Sequence, residues 1–319
     1  MQTGVPAEEP LVRLIRAVAA TGYTFTTTTP ATHARVYQRT AHARARTLRD
    51  VFGWSRPFDP GVLPPEVFDL MKAADVLEPR DGLWASRIRL STLDGQLYAH
   101  SAYPTVQDDS VFFGPDTYRY ADAVKQHLAG RGAGPARMVD VGCGAGPGAI
   151  LAGLAVPGAE IVAVDINDRA LALTRVNAAV AGAANVQACH SNLLDGVDGE
   201  FDLVMSNPPY LVDPHARAYR HGGGPLGAEL SLAIIDAGRR RLKPGGSLLL
   251  YTGAAMVDGT DPFLAAVSDM LADGGLAWRY RELDPDIFGE ELSNPAYAEC
   301  DRIAAVLLTA TRVYDAEAG

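Results

Sequence analysis

From Pro135 onward, short apolar runs of strand length alternate with Ala-rich or Leu-rich stretches of helical length. The candidate strands are Arg137–Val141, Glu160–Asp165, Val186–His190, Leu203–Met205 and Ser247–Tyr251. A helix between two strands carries the chain back to the end at which the first began, so such strands pair in parallel. The order therefore predicts an α/β fold with a doubly wound, mainly parallel sheet. Segments near Leu276–Arg281 and Ile303–Thr309 would complete its edge.

The first third of the chain is patterned differently. Leu11, Val12, Leu14, Ile15 and Val18 surround Arg13 and Arg16 in the manner of an amphipathic helix, and a polar break at Thr24 to Pro30 follows. A second helix is expected from about Ala34 to Val51, with Arg35, Arg39, Arg44, Arg46 and Arg49 on a solvated face. Pro65 suits the first turn of a short helix through Ala74. Trp84 to Leu90 and Gln96 to His100 read as two strands turning at Asp94-Gly95. The chain thus divides into a smaller helical unit ending in a β-ribbon, residues 1–108, which resembles a winged helix or a cap, and a larger α/β unit, residues 109–319.

Charge and composition narrow the partners. The formal net charge is −10, which disfavours tight, nonspecific contact with phosphate backbones. No apolar run approaches the ~20 residues that span a bilayer. The first helix lacks the unbroken apolar centre of an export signal, and Cys143, Cys189 and Cys300 form neither a disulfide framework nor a zinc pattern. A soluble protein of the reducing cytoplasm is expected, with no metal. Oligomeric state is not legible.

The stretch Val139-Asp140-Val141-Gly142-Cys143-Gly144-Ala145-Gly146 leaves an apolar strand and enters a helical run. Glycines there let the backbone turn sharply and approach a ligand closely. Asp140 can reach the ligand through water or the loop. Asp165 closes the second strand, where its two oxygens can accept from both hydroxyls of a ribose, and Ile166 can pack on an adenine face. Asn192, after the third strand, can meet the adenine edge. A dinucleotide site would carry its third glycine where Pro147 stands, yet a glycine turn followed by an acid suits either a dinucleotide or S-adenosylmethionine (SAM).

Asn207-Pro208-Pro209-Tyr210, at the end of the fourth strand, favours the second cofactor. The Asn207 side-chain carbonyl and the Pro208 backbone carbonyl can both accept from one substrate NH₂. Held so, the nitrogen lone pair turns out of its planar group toward a methyl donor. Tyr210 can stack on the flat acceptor.

With these motifs in this order, residues of about 111 to 311 resemble class I SAM-dependent methyltransferases with a Rossmann-like sheet, and among them the Asn-Pro-Pro-Tyr group that includes release-factor glutamine methyltransferases and adenine-N6 DNA methyltransferases. The resemblance implies that Asp140, Gly142, Gly144 and Gly146 line the methionine side of SAM, that Asp165 binds ribose and that Asn192 lies near adenine, where family members often carry an acid. It also implies a lid in the segment from Phe112 to Tyr120, with Thr117 and Tyr118 as candidates; the other reading of that segment is a helix start capped by Asp116 with core aromatics. Gly222-Gly223-Gly224 resembles the loop after the acceptor motif. His215 and His221 read as loop histidines. Asp284, Asp286, Glu290 and Glu291 around Phe288 read as a solvated loop, or as a pocket mouth favouring a cation.

The expected activity is N-methylation of a planar amide, amine or heteroaromatic nitrogen in a small molecule or protein. The alternatives are adenine N6-methylation of nucleic acid, with the base flipped out, and a SAM-binding protein without turnover.

Overall fold

The computed structural model describes residues 9–39, 43–130, 136–272 and 275–313. The N-terminal third begins with α1 (Pro10–Ala20), whose Val12, Leu14, Ile15 and Val18 form its buried face, as the 3.6-residue period requires. The helix expected over 34–51 is instead two separate pieces, α2 (Pro30–Tyr37) and α3 (Leu48–Phe52). Each piece has its own side-chain cap, and the second cap marks the new start. Thr29 accepts from the Thr32 amide ahead of Pro30, and Thr47 accepts from the Asp50 amide while the Asp50 carboxylate takes the Thr47 hydroxyl. A helix start lies inside the arginine-rich run. α4 (Pro65–Ala73) follows.

The ribbon also differs from expectation. The stretch 84–90 is not one strand, because Arg87 separates two hairpins. β1 (Leu77–Arg80) pairs with β2 (Leu83–Ser86), and β3 (Ile88–Leu93) pairs with β4 (Gln96–Ser101). Each turns on Asp-Gly with both residues at positive φ, 50° and 77° at Asp81-Gly82 and 52° and 80° at Asp94-Gly95, as tight hairpins of two residues demand.

α5 (Pro115–Ala129) leads into the expected sheet: β5 (Arg137–Val141), α6 (Pro147–Ala155), β6 (Glu160–Asp165), α7 (Asp168–Ala181), β7 (Val186–His190), β8 (Phe201–Ser206), α8 (Glu229–Arg239), β9 (Leu242–Val257), α9 (Pro262–Leu271), β10 (Leu276–Asp284) and β11 (Cys300–Arg312). The strand order is β10-β11-β9-β8-β5-β6-β7, with β5 to β9 parallel and β11 antiparallel to both its neighbours, so that β10 shares the direction of β5 to β9. Chain direction across the sheet reverses at β5, which has β6 on one side and β8 on the other. A crevice beyond the carboxyl ends of β5 and β8 follows from that reversal.

One apolar cluster joins the N-terminal elements to the sheet unit: Leu14, Ile15 and Val18 of α1, Leu90 of β3 and Ala99 of β4 share it with Ala170, Leu173 and Val176 of α7. Asn177 of α7, fully buried, completes the seam. Its Oδ1 accepts from the Ala99 amide at 2.8 Å and its Nδ2 donates to the Ala99 and Ala145 carbonyls at 3.0 and 2.9 Å. One carboxamide thereby ties the ribbon to the glycine loop.

Candidate functional site

The crevice at the reversal holds a large cavity, lined from both sides of β5. Gly142 and Gly144 line it at φ of 70° and 56°, a region side chains with a Cβ seldom enter. The loop is pinned at both ends. The Gly142 amide donates to the Val164 carbonyl at 2.8 Å, and the Gly144 amide donates to Asp165 Oδ2 at 2.9 Å. Asp165 Oδ1 accepts from the Asn167 amide at 2.9 Å, so each carboxylate oxygen keeps further lone-pair capacity toward the crevice. Burial raises the Asp165 carboxyl pKa, and these amide donors oppose the rise. Ile166 lies beside it, 54% exposed, an aliphatic side chain left open to the cavity it lines. Asn192 lines the same end, and its carboxamide has no hydrogen-bond partner among the described residues.

Two of the expected loop contacts are different. Gly146 does not line the cavity; it caps α6 at φ 82°, and a Cβ there would stand 2.9 Å from Thr174. Its role is the packing of α6 against α7. Asp140 borders the cavity but is 1% exposed, and its two oxygens accept from the Tyr120 hydroxyl at 2.7 Å and the Ala149 amide at 2.9 Å. Burial lifts its pKa to about 7. Its polar capacity is directed mainly inward, to α5 and the first turn of α6.

At the other end, β8 delivers Asn207 and Pro208 to the cavity wall. Ser206, the last residue of the strand, donates to the Val141 carbonyl at 2.6 Å and locks the acceptor tetrapeptide beside the glycine loop. The Asn207 carboxamide is half-buried and has no partner among the described residues. Tyr210 turns inward: its hydroxyl donates to Asp116 Oδ2 at 2.8 Å and its ring meets Phe288 edge-on, with centroids 6.1 Å apart. The ring has space only because residue 253 is glycine, where a Cβ would come within 2.4 Å of it.

Asp116 is the residue that sequence reasoning misplaced. Gly114 occupies the capping position of α5, and Asp116, 3% exposed, accepts from Tyr210, from Tyr251 at 2.6 Å and from Arg119 at 3.2 Å. Burial raises its pKa against these donors. The only signal for it was an acid among aromatics just inside a Pro-initiated helix. Thr117 lines the cavity while accepting from the Gly114 amide at 3.1 Å. Tyr118 is not part of the cavity wall: its hydroxyl accepts from the Thr27 amide at 3.0 Å, so it fastens α5 to the N-terminal unit.

The acidic loop divides: Asp284 pairs with Arg119 at 2.6 Å and Glu291 pairs with Arg220, whereas Asp286 and Glu290 are exposed, and Phe288 lines the cavity. The loop after Tyr210 is ordered by Leu211 and His221, which form a bridge, and by Arg217 on Asp213 at 2.6 Å. Gly222 is buried and wedged against the Gly227 carbonyl, whereas Gly224 is exposed. The His221 ring accepts from the Asp213 amide at 3.1 Å. Among the described residues no group of three His, Cys, Asp or Glu could hold a metal ion, and no helix is long and apolar enough to cross a membrane.

Residues 121–257 match the family model described as the methyltransferase small domain. These residues of the sheet unit are therefore similar to a methyltransferase domain. Relatives of the chain include the release factor glutamine methyltransferase of Deinococcus radiodurans, 34% identical over 168 residues, covering 49% of this chain and 55% of the relative. The ribosomal RNA small subunit methyltransferase C of Chromohalobacter salexigens is 36% identical over 118 residues, covering 37% of this chain and 32% of that one. The chain spans about half the length of the curated relatives it matches. A solved ribosomal protein L11 methylase from Lactobacillus delbrueckii subsp. bulgaricus aligns with a TM-score of 0.42 at 20% identity, covering 62% of this chain and 80% of that one.

Proposed function

We propose that this chain is a SAM-dependent N-methyltransferase whose acceptor presents a planar nitrogen, with a side-chain carboxamide as the first class to test. The observation that carries the reading is the Asn207 carboxamide, without a hydrogen-bond partner among the described residues and set beside the Pro208 carbonyl at the crevice wall. Two acceptors of hydrogen bonds on one wall suit an NH₂ group, which has two protons to give and must be turned before its lone pair can react.

The opposite end of the crevice fits an adenosine. Asp165 retains acceptor capacity for ribose hydroxyls, exposed Ile166 offers a flat apolar contact, and Asn192 has an unused carboxamide. Gly142 and Gly144 leave room for close approach of the amino-acid portion. When bound, SAM supplies a methyl group activated on a positively charged sulfur. The chain's own work is then to hold the acceptor nitrogen through Asn207 and Pro208, to fix the tetrapeptide through Ser206 and Asp116, and to shield the site with Phe288. Residues 1–108 form the acceptor-recognising unit in this reading, and 109–319 the transferring unit.

The relatives named for glutamine methylation favour a carboxamide acceptor. Incubation with labelled SAM and a panel of glutamine peptides, free amides and amines should transfer label to nitrogen; label on oxygen or carbon alone would overturn the reading. The relative named for ribosomal RNA supports a base amine as the second reading. A gel shift that weakens steeply with salt would favour it.

A further inference from the structure

The connection from β4 to α5 closes on itself. The Ser101 amide donates to the Val111 carbonyl at 3.1 Å, and Ser101 Oγ accepts from the Val111 amide at 2.8 Å. Residues 102–110 thereby form a compact loop whose two ends meet, a form that frequently carries function. Its first limb rests on the N-terminal unit. There the Tyr103 amide donates to Ser55 Oγ at 3.0 Å, and the Tyr103 ring lies against His33 of α2 with centroids 4.0 Å apart. Its second limb rests on the start of α7, where Asn167 Nδ2 donates to the Asp109 carbonyl at 2.9 Å and Arg169 donates to Gln107 Oε1 at 3.0 Å. Asn167, two residues beyond Asp165, lines the crevice.

The tip between these limbs is held from the acceptor side. Ala218-Tyr219-Arg220 lines the crevice and runs beside the acceptor tetrapeptide, because the Leu211 amide donates to the Arg220 carbonyl at 3.1 Å. From this segment the Tyr219 hydroxyl donates to the Thr105 carbonyl at 2.7 Å. Arg217 Nη1 reaches the same oxygen only at 3.5 Å, its guanidinium being engaged with Asp213. Tyr219 is therefore the main tether between the tip and the acceptor wall. Next to Thr105 the loop leaves Val106 63% exposed. A lone exposed apolar side chain is ordinary on a protein surface, but this one stands at the tip of a closed loop, one residue from that tether.

We infer that the tip of this loop docks the acceptor: Val106 packs against the peptide that carries the target nitrogen, and Tyr219 is the positioning residue that holds the tip beside the acceptor tetrapeptide. This role rests on the reading of the crevice as a site of nitrogen methylation, and it names the part of the N-terminal half that meets the acceptor. Contacts to the body of an acceptor, remote from the reacting nitrogen, are made equally in the ground state and the transition state. Their loss raises KM and leaves kcat unchanged.

The test uses the full chain, labelled SAM and a glutamine peptide. Val106→Ser removes the apolar contact and Tyr219→Phe removes only the tethering hydroxyl. Each should raise the peptide KM by at least about three-fold, with kcat and the calorimetric Kd for SAM within about two-fold of wild type. Tyr219→Phe should also shift and sharpen the Val106 methyl resonances in NMR spectra, as expected of a released tip. An unchanged peptide KM in either variant overturns the inference, as does a loss of kcat or SAM affinity as large as the rise in KM, which is the mark of a merely structural role. Label on free amides and amines alone also overturns it, for the loop then has no peptide to hold, while the reading of the crevice stands. No label on nitrogen in any wild-type reaction overturns that reading and the docking role with it.

Discussion

Asn207 and Asp140 are both polar groups beside the crevice, yet the first has no hydrogen-bond partner among the described residues and the second is fully engaged. Asn207→Ala removes a single acceptor from the proposed nitrogen clamp. Turnover should fall by about 10²-fold, as for loss of one positioned polar contact, while SAM affinity measured by calorimetry stays within about three-fold. An equal loss in both would instead make Asn207 a structural residue. Asp140 predicts a pH signature. Its carboxyl is raised from about 3.9 in an unfolded chain to about 7 when folded, so the folded state holds a proton that the unfolded state releases. The stability this contributes is complete below pH ~4 and lost as pH rises through about 7. Urea unfolding of wild type and Asp140→Asn at pH 5 and pH 8 should show the wild type losing stability relative to the variant at the higher pH. A gap that moves the other way would refute the assignment.

Among the elements, β9 has the most exacting relation to the site, because Gly253 makes space for the Tyr210 ring and Tyr251 shares Asp116 with it. Gly253→Ala should cost about 1–3 kcal/mol by overpacking and displace Tyr210, with activity falling more than SAM binding; denaturant melts and paired kinetic and binding measurements would show it. The sheet was legible because strand-length apolar runs, a glycine turn and terminal acids are local signals. β5, β6 and β7 accordingly have the residue limits their sequences suggested. What local pattern could not supply was the competition between neighbours. The Thr47 cap divides a run that otherwise reads as one helix, and a second Asp-Gly turn divides the ribbon. Likewise the uses of Asp116, Tyr118 and Gly146 depend on partners 94, 91 and 28 positions away, at Tyr210, Thr27 and Thr174 respectively, which no spacing rule reveals.

Across the whole molecule, the N-terminal unit and the sheet unit share a core and the three hydrogen bonds of Asn177. Asn177→Ala leaves the Ala99 amide and two carbonyls buried without this partner and should destabilise the entire chain by roughly 2–4 kcal/mol, seen as one cooperative transition shifted to lower temperature. Two separated transitions would mean that the seam does not couple the units. SAM at about 100 times its Kd should add about 2.7 kcal/mol to the same transition. For anyone wishing to graft this transferring half onto another recognition module, the carboxamide at 177 is a warning. Cut at residue 108, the chain would present to water an apolar helix face and an amide that had been reading a strand now missing, and the glycine loop would lose the post against which it is braced. A useful minimal enzyme would have to be resurfaced there, or carry the ribbon with it.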